Sequence, residues 1–293
     1  MDLQEFLKQR WVIYGVLGVA RMMPRRTGYA LMAYAARRIS KSKPKVYRKL
    51  RENIRHIPGT NNPPVKLDQL TSQAFHNAGR FYFDFYHLIQ GPLEGIDQMV
   101  DIPEEVYDKI QAVQSSGRGV LLAGMHMGNI DLGMVGLSQN RLEILALSTA
   151  NPNEAYKIQN KLRSGSGLKI TPITPASLKS AIKRLKKGGI VATGVDWPHP
   201  EEQNLTNVFG KPAYVPLGTA RLALLSGAVT LVLGFYAKPD GVTSVYISDP
   251  IEVIRTGNKE EEINLNTSTY IQYFEEFVSR HPDQWMMYHQ FWA

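Results

Sequence analysis

Between Gly119 and Val195 short apolar runs alternate with helix-like stretches, and this alternation restricts the fold more than any other feature. Gly119 to Ala123 (GVLLA), Glu143 to Leu147 (EILAL), Leu168 to Ile173 (LKITPI) and Gly189 to Val195 (GIVATGV) have strand length. Helix-like stretches such as Glu154 to Arg163 and Ala176 to Lys187 separate them. Continuous apolar runs suit strands buried on both faces, and intervening helices suit crossovers between parallel strands. Two further runs, Ala228 to Ala237 and Thr243 to Ser248, face each other across the turn Lys238-Pro239-Asp240-Gly241, which is a hairpin signal. A last helix is expected over Lys259 to Arg280. The expected fold class is α/β, a mostly parallel central sheet flanked by helices. No internal repeat or low-complexity tract interrupts it.

Upstream the character changes. Residues 1–60 hold 14 Lys/Arg against 3 Asp/Glu, whereas the remaining 233 residues hold 20 against 23. The basicity of the chain therefore belongs to one segment, and a localised basic region calls for an anionic partner. Its apolar runs, Trp11 to Ala20 and Gly28 to Ala36, are separated by Pro24, Arg21, Arg25 and Arg26. Neither reaches the roughly 20 apolar residues of a spanning helix. Two short apolar helices edged by Trp, Tyr, Arg and Lys suit an interfacial position among headgroups; a hairpin packed on the protein's own core is the alternative. Nucleic acid is disfavoured, because the aromatic residues sit inside the apolar runs and do not interleave with the basic ones. After the turn-rich Pro58 to Pro64, a helix is expected over Leu67 to Gln90 from its three- and four-residue spacing. The chain is expected to divide into a basic, amphipathic, membrane-associating region at 1–58 and an α/β domain at 59–293.

Functional groups in such sheets gather where strands end at their carboxyl edge. The run Gly119 to Ala123 leads into GMHMGNIDLG, residues 124–133, so His126 stands just past a strand. Gly128 permits a tight turn and Asn129 is placed to cap a helix starting near Ile130. Asp131 then lies about one turn into that helix, where its carboxylate is expected to curl back toward the imidazole. A neutral imidazole removes a proton from an alcohol when a carboxylate holds its other N–H. That is the base and orienter of a serine triad with the substrate's own hydroxyl as nucleophile, so no covalent enzyme intermediate is needed. Seven histidines among 26 acids make one such spacing unsurprising, and His126 alone has an acid five residues on. Its position at a strand end carries more weight. Backbone N–H groups near Gly128 and Asn129 are expected to meet the oxyanion. Lys183, Arg184, Lys186 and Lys187 form a basic cluster, read either as attraction for an acidic carrier or as a solvated helix face.

The stretch resembles the H-x4-D/E motif of the lysophospholipid and glycerolipid acyltransferase superfamily. It is most similar to the branch of bacterial lipid A late acyltransferases and phosphatidylinositol mannoside acyltransferases, in which the histidine is followed by Gly-Asn as at His126, Gly128 and Asn129. Met125 stands where the phosphate-acceptor branch usually has Asn. Arg163 in KLRSGSG looks like the branch's arginine near the acyl carbonyl or donor phosphate, and Asp196 in GIVATGVDW looks like its later acid. Phe209 to Ala213 (FGKPA) with Pro216, Gly218 and Ala220, and HPDQWMMYHQFW from His281, resemble further blocks. The resemblance implies transfer of a fatty acyl group from acyl carrier protein or coenzyme A thioester to a hydroxyl of a membrane glycolipid or lysolipid. It implies His126 and Asp131 as catalytic, Gly128, Asn129, Arg163 and Asp196 as substrate or oxyanion contacts, and neither metal nor resident cofactor. With the charge map, it leads to the expectation of a peripheral protein on the cytoplasmic face of the inner membrane.

Other classes stay open at this point. Water in place of the acceptor makes the same dyad a thioester or lipid hydrolase. The basic segment alone describes a non-catalytic membrane-binding protein. A metal hydrolase using His126, Asp131, Asp196 and His199 lacks a dense ligand motif, and a serine hydrolase lacks G-x-S-x-G. The absence of cysteine removes disulfides, thiolate metal sites and cysteine nucleophiles together.

Overall fold

The computed structural model describes residues 10–60, 63–88, 95–139, 142–165, 168–197 and 204–293. Three helices open it: α1 (Arg10–Met22), α2 (Arg25–Ser42) and α3 (Lys45–Arg55). Pro24 and Pro44 sit just ahead of α2 and α3 in non-helical conformation, since a proline ring cannot continue a preceding helix. The long α4 (Pro64–Leu88) follows, matching the expected helix and starting on Pro64 at its first turn; Gln90, its expected end, lies outside the described residues. Both α1 and α2 pack on α4. Among the described residues no helix is long and apolar enough to cross a membrane.

The expected strands are present. A six-stranded sheet has the order β3-β2-β4-β1-β7-β8, from β1 (Val120–Gly124), β2 (Ile144–Ser148), β3 (Lys169–Pro172), β4 (Ile190–Gly194), β7 (Val229–Ala237) and β8 (Thr243–Ile247). All pairings are parallel except β7 with β8, the hairpin closed by Lys238 to Gly241. A separate hairpin, β5 (Leu205–Val208) with β6 (Lys211–Tyr214), spans the FGKPA block; its four-residue strands gave no periodic signal. The connecting helices are α5 (Glu104–Ser115), α6 (Ile130–Gln139), α7 (Glu154–Gly165), α8 (Pro175–Lys186), α9 (Gly218–Ser226) and α10 (Lys259–Arg280).

Burial explains the unbroken apolar runs. In β1, Val120 and Leu122 pack with Val106, Ile110 and Val113 of α5, while Leu121 packs with Ala181 and Leu185 of α8 and Leu222 of α9. Val120, Leu121 and Leu122 thus each meet a helix on one side or the other, and all three are buried. The charged N-terminal segment is tied into the same body. Tyr47, Leu50 and Ile54 of α3 share one core cluster with Trp285 and Phe291 from the last residues of the chain.

Asn53 makes that tie polar as well. Buried on α3, its side-chain amide donates to the carbonyls of Met287 and His289, each at 2.7 Å. Asn53→Ala leaves two carbonyls without their donor and is expected to cost about 2–3 kcal/mol. Urea unfolding measures this, and a loss below about 0.5 kcal/mol, the scale of an ordinary surface change, contradicts the clamp.

Candidate active site

Strand order decides which side chains meet. β1 and β4 are parallel neighbours with Gly124 opposite Gly194. Two residues past each glycine stand His126 and Asp196, so the same register carries them to one level beyond the carboxyl edge. His126 Nδ1 lies 2.8 Å from Asp196 Oδ1, and the His126 backbone N–H donates to Asp196 Oδ2 at 2.9 Å. The indole Nε1–H of Trp285 reaches the same Oδ2 at 2.9 Å. The carboxylate is wholly buried and has three N–H groups aimed at its two oxygens, the complement that an acceptor-only group requires. With Nδ1 held as the donor, Nε2 keeps the lone pair. It has no hydrogen-bond partner among the described residues, and the imidazole is 29% exposed.

This corrects the expectation for Asp131. Its carboxylate does not hold the His126 ring; it pairs with Arg163 Nη2 at 2.6 Å. Arg163 is largely enclosed, 14% exposed, with the rings of Phe85 and Tyr156 5.8 and 5.7 Å from its guanidinium carbon. A cation in such surroundings needs a carboxylate, and Asp131 on the first turn of α6 supplies it. Burial works against the Arg163 charge, but the pull of Asp131 outweighs it and raises the guanidinium's already high pKa. Tyr82 and Tyr86 of α4 stack beside this pair, and burial first, then Asp131, pushes both phenols up.

The glycine and its neighbour divide in the same way. The Gly128 N–H is already committed, donating to the Gln284 carbonyl at 2.9 Å, so it is not an oxyanion donor. Gly128 serves the backbone instead: it has φ +59°, and a Cβ there would run into the Phe235 carbonyl of β7. Asn129 caps α6 as expected, accepting the Leu132 N–H at 3.3 Å, and its amide donates to the Phe81 carbonyl of α4. The Asn129 backbone N–H has no acceptor among the described residues. Asp196, expected at the substrate, is shut away from solvent and is taken by His126 and the Trp285 indole.

The C-terminal block completes the site. Met286 N–H donates to the His126 carbonyl at 2.9 Å and Met127 bridges Trp285, so residues 284–286 run as a short antiparallel partner of the His126 loop. Gln284 pins this segment to the end of β7 through both its amide atoms and Ala237, at 2.7 and 3.1 Å. Trp285 is core, but its indole N–H has a task that the apolar surroundings concealed. Trp197, 4.5 Å from the His126 ring, and His289, 4.4 Å beyond Trp197, were not singled out; their adjacency to Asp196 and membership of the terminal block were the available signals. The cluster of Lys183, Lys186 and Lys187 lies at the end of α8 leading into the start of β4, the sheet edge opposite His126. His199 lies outside the described residues, and among the described ones no group of three His, Asp or Glu converges to hold a metal.

Comparison with known proteins gives the family of the chain. The family described as "Bacterial lipid A biosynthesis acyltransferase" matches residues 3–293. The chain is 22% identical to a phosphatidylinositol mannoside acyltransferase of Mycobacterium tuberculosis, covering 83% of this chain and 76% of that one. It is 27% identical to the lipid A biosynthesis lauroyltransferase of Escherichia coli, over 62% of this chain and 59% of that one.

Gly128→Ala places a methyl group against backbone in a conformation that L side chains rarely adopt, and is expected to destabilise the fold by about 3 kcal/mol or more. Thermal melting checks this; a variant melting like the parent contradicts the role assigned to the glycine.

Proposed function

Because the chain belongs to the bacterial lipid A biosynthesis acyltransferase family, we propose that it transfers a fatty acyl group from a thioester donor to a hydroxyl of a membrane glycolipid or lysolipid. The observation that carries the proposal is His126 with Nδ1 fixed by the buried Asp196 and Nε2 open. Nε2 takes the proton of the acceptor hydroxyl as its oxygen attacks the thioester carbonyl carbon. The tetrahedral oxyanion is met by the Asn129 N–H and the Arg163 guanidinium. The C–S bond then breaks, and His126 returns its proton to the departing sulfur. Asp196 holds the ring and stabilises the imidazolium formed between these steps, while Asp131 keeps Arg163 aimed. The carrier of the thioester is acyl carrier protein or coenzyme A, and nothing is held covalently by the enzyme.

The acceptor is a lipid, and the N-terminal helices suit meeting it at an anionic surface on the cytoplasmic face. Val19, Met22, Leu31 and Tyr34 are 58%, 86%, 48% and 61% exposed, large apolar groups turned to solvent among Arg21, Arg26, Arg37 and Arg38. Apolar anchors ringed by arginine match the interfacial region of a bilayer.

Purified protein supplied with a radiolabelled acyl thioester and a membrane lipid extract is expected to label lipid, and His126→Ala to abolish this. Asp196→Asn is expected to lower the rate about 10²–10⁴-fold, because the amide no longer fixes the Nδ1–H tautomer. Equal transfer by His126→Ala sinks the mechanism, and label released only as free acid indicates a hydrolase. Replacing Met22, Leu31 and Tyr34 together by Glu is expected to weaken binding to anionic vesicles more than tenfold in a sedimentation assay. Unchanged binding refutes the interfacial assignment. Point changes are preferred to truncation at residue 58, which would strip Tyr47, Leu50 and Ile54 from the core.

A further inference from the structure

Two further rings adjoin the His126 imidazole in succession. Trp197 packs on His126 at 4.5 Å and 46°, and His289 meets the other reach of Trp197 edge-on at 4.4 Å and 65°. His289 is therefore one indole away from the proposed base. Its backbone is fixed, since its carbonyl accepts the Asn53 amide at 2.7 Å. Its ring lies at the exposed end of the row.

The second component comes from α3. Lys49 precedes Asn53 by four residues, and such residues share one helix face, so the ammonium rises on the side that holds His289. Burial, then the Lys49 charge, then His126 depress the His289 imidazole, as expected where these groups gather. Two neighbouring cations share one carboxylate: Lys43 and Arg51 both reach Asp68, at 2.9 and 2.5 Å. Lys49 has no carboxylate partner among the described residues. Glu52, three residues on, is taken by Arg55 and His56, and Asp196 is buried and spent on His126 and Trp285. A half-buried lysine, a histidine and an indole N–H-bearing ring, converging on a reaction centre without a facing acid, describe a place for an anion.

We infer that Lys49 and His289, set across Trp197 from His126, form a subsite for a phosphate ester of a reacting substrate. The inference rests on the acyl-transfer reading above. Both reactants of such a reaction offer that chemistry: a thioester carried on phosphopantetheine or coenzyme A, and a lipid whose headgroup is phosphorylated. In either case the phosphate sits one ring from the atoms that react, where it fixes the substrate's reach toward His126 without touching the bond that breaks.

The subsite is tested first without catalysis. The full chain is titrated with inorganic pyrophosphate, followed by calorimetry and by the ³¹P signal. Wild type is expected to bind, Lys49→Ala with His289→Gln to bind at least tenfold more weakly at an unchanged melting temperature, and Lys49→Arg to retain binding. No binding by wild type, or equal binding by the double variant, overturns the subsite. The source of the phosphate is then read from KM. A rise of fivefold or more for acyl-coenzyme A in Lys49→Ala, with none for the phosphate-free acyl-N-acetylcysteamine, assigns the donor. A rise for the phosphorylated acceptor in vesicles with both donors assigns the acceptor. No rise in any KM overturns the inference. A protein that binds pyrophosphate through Lys49 and His289 but transfers no acyl group fails the reaction and not the subsite.

Discussion

The site turns on one carboxylate. Asp196 is closed off from water, and a buried charge of this kind is tolerable only when its lone pairs are filled by donors. Here they come from three separated parts of the chain: the His126 ring, the His126 backbone and the Trp285 indole. Each donor also fixes the part it belongs to. The imidazole gains a tautomer and an orientation, the loop after β1 gains a level, and the C-terminal segment is drawn across the sheet edge. Removing any one leaves the other two holding an under-satisfied charge, so the geometry of the proposed site and the closing of the fold are a single cooperative arrangement.

That coupling explains why the ends of the chain are where they are. Residues 284–286 run against the His126 loop, Gln284 clasps the end of β7, and Asn53 of α3 holds the backbone just beyond. Asn77 of α4 secures the start of the same segment through Asp283. The tail is thus a strap drawn over the carboxyl edge and tied at both ends to the N-terminal helices. A parallel sheet leaves the loops at its carboxyl edge without strand partners, and the strap supplies an acceptor, the Gln284 carbonyl, and a donor, the Met286 N–H.

The sheet was legible because its physics is local: each strand is a short apolar run, and the helices between carry their own periodicity. His126, Gly128 as a tight turn and the Asn129 cap were legible for the same reason. The partner of His126 was not. Asp131 is five residues away and draws the eye, whereas Asp196 lies beyond a strand whose place beside β1 appears in no periodicity. The relevant fact is the register Gly124 to Gly194, a property of strand order. Arg163 was visible as a site residue but not as the competitor that takes Asp131, because its burial beside Phe85 and Tyr156 is tertiary. The Gly128 N–H was miscast similarly: its acceptor, Gln284, arrives from the far end of the chain.

The N-terminal helices carry the argument one step outward. Asp84 of α4 is buried beneath them, bonded to Tyr29 at 2.5 Å and flanked by Arg25 and Arg80 at 3.6 and 3.8 Å. Burial pushes its carboxyl up, against the pull of Tyr29 and the two arginines. A buried ionic cluster adds little net stability relative to apolar packing, but it tolerates few arrangements. Gly28 lies against the Phe83 ring in the same interface, so α2 has one close seat on α4. Two residues before Asp84 is Tyr82, beside the Asp131–Arg163 pair, and one residue after it is Phe85, facing Arg163. The helix that seats α2 therefore also carries the residues beside the Asp131–Arg163 pair. Phe83 and Asp84, which seat α2, and Tyr82 and Phe85, beside the Asp131–Arg163 pair, fall within one turn of α4, so the proposed lipid-facing helix and that pair are positioned by one element.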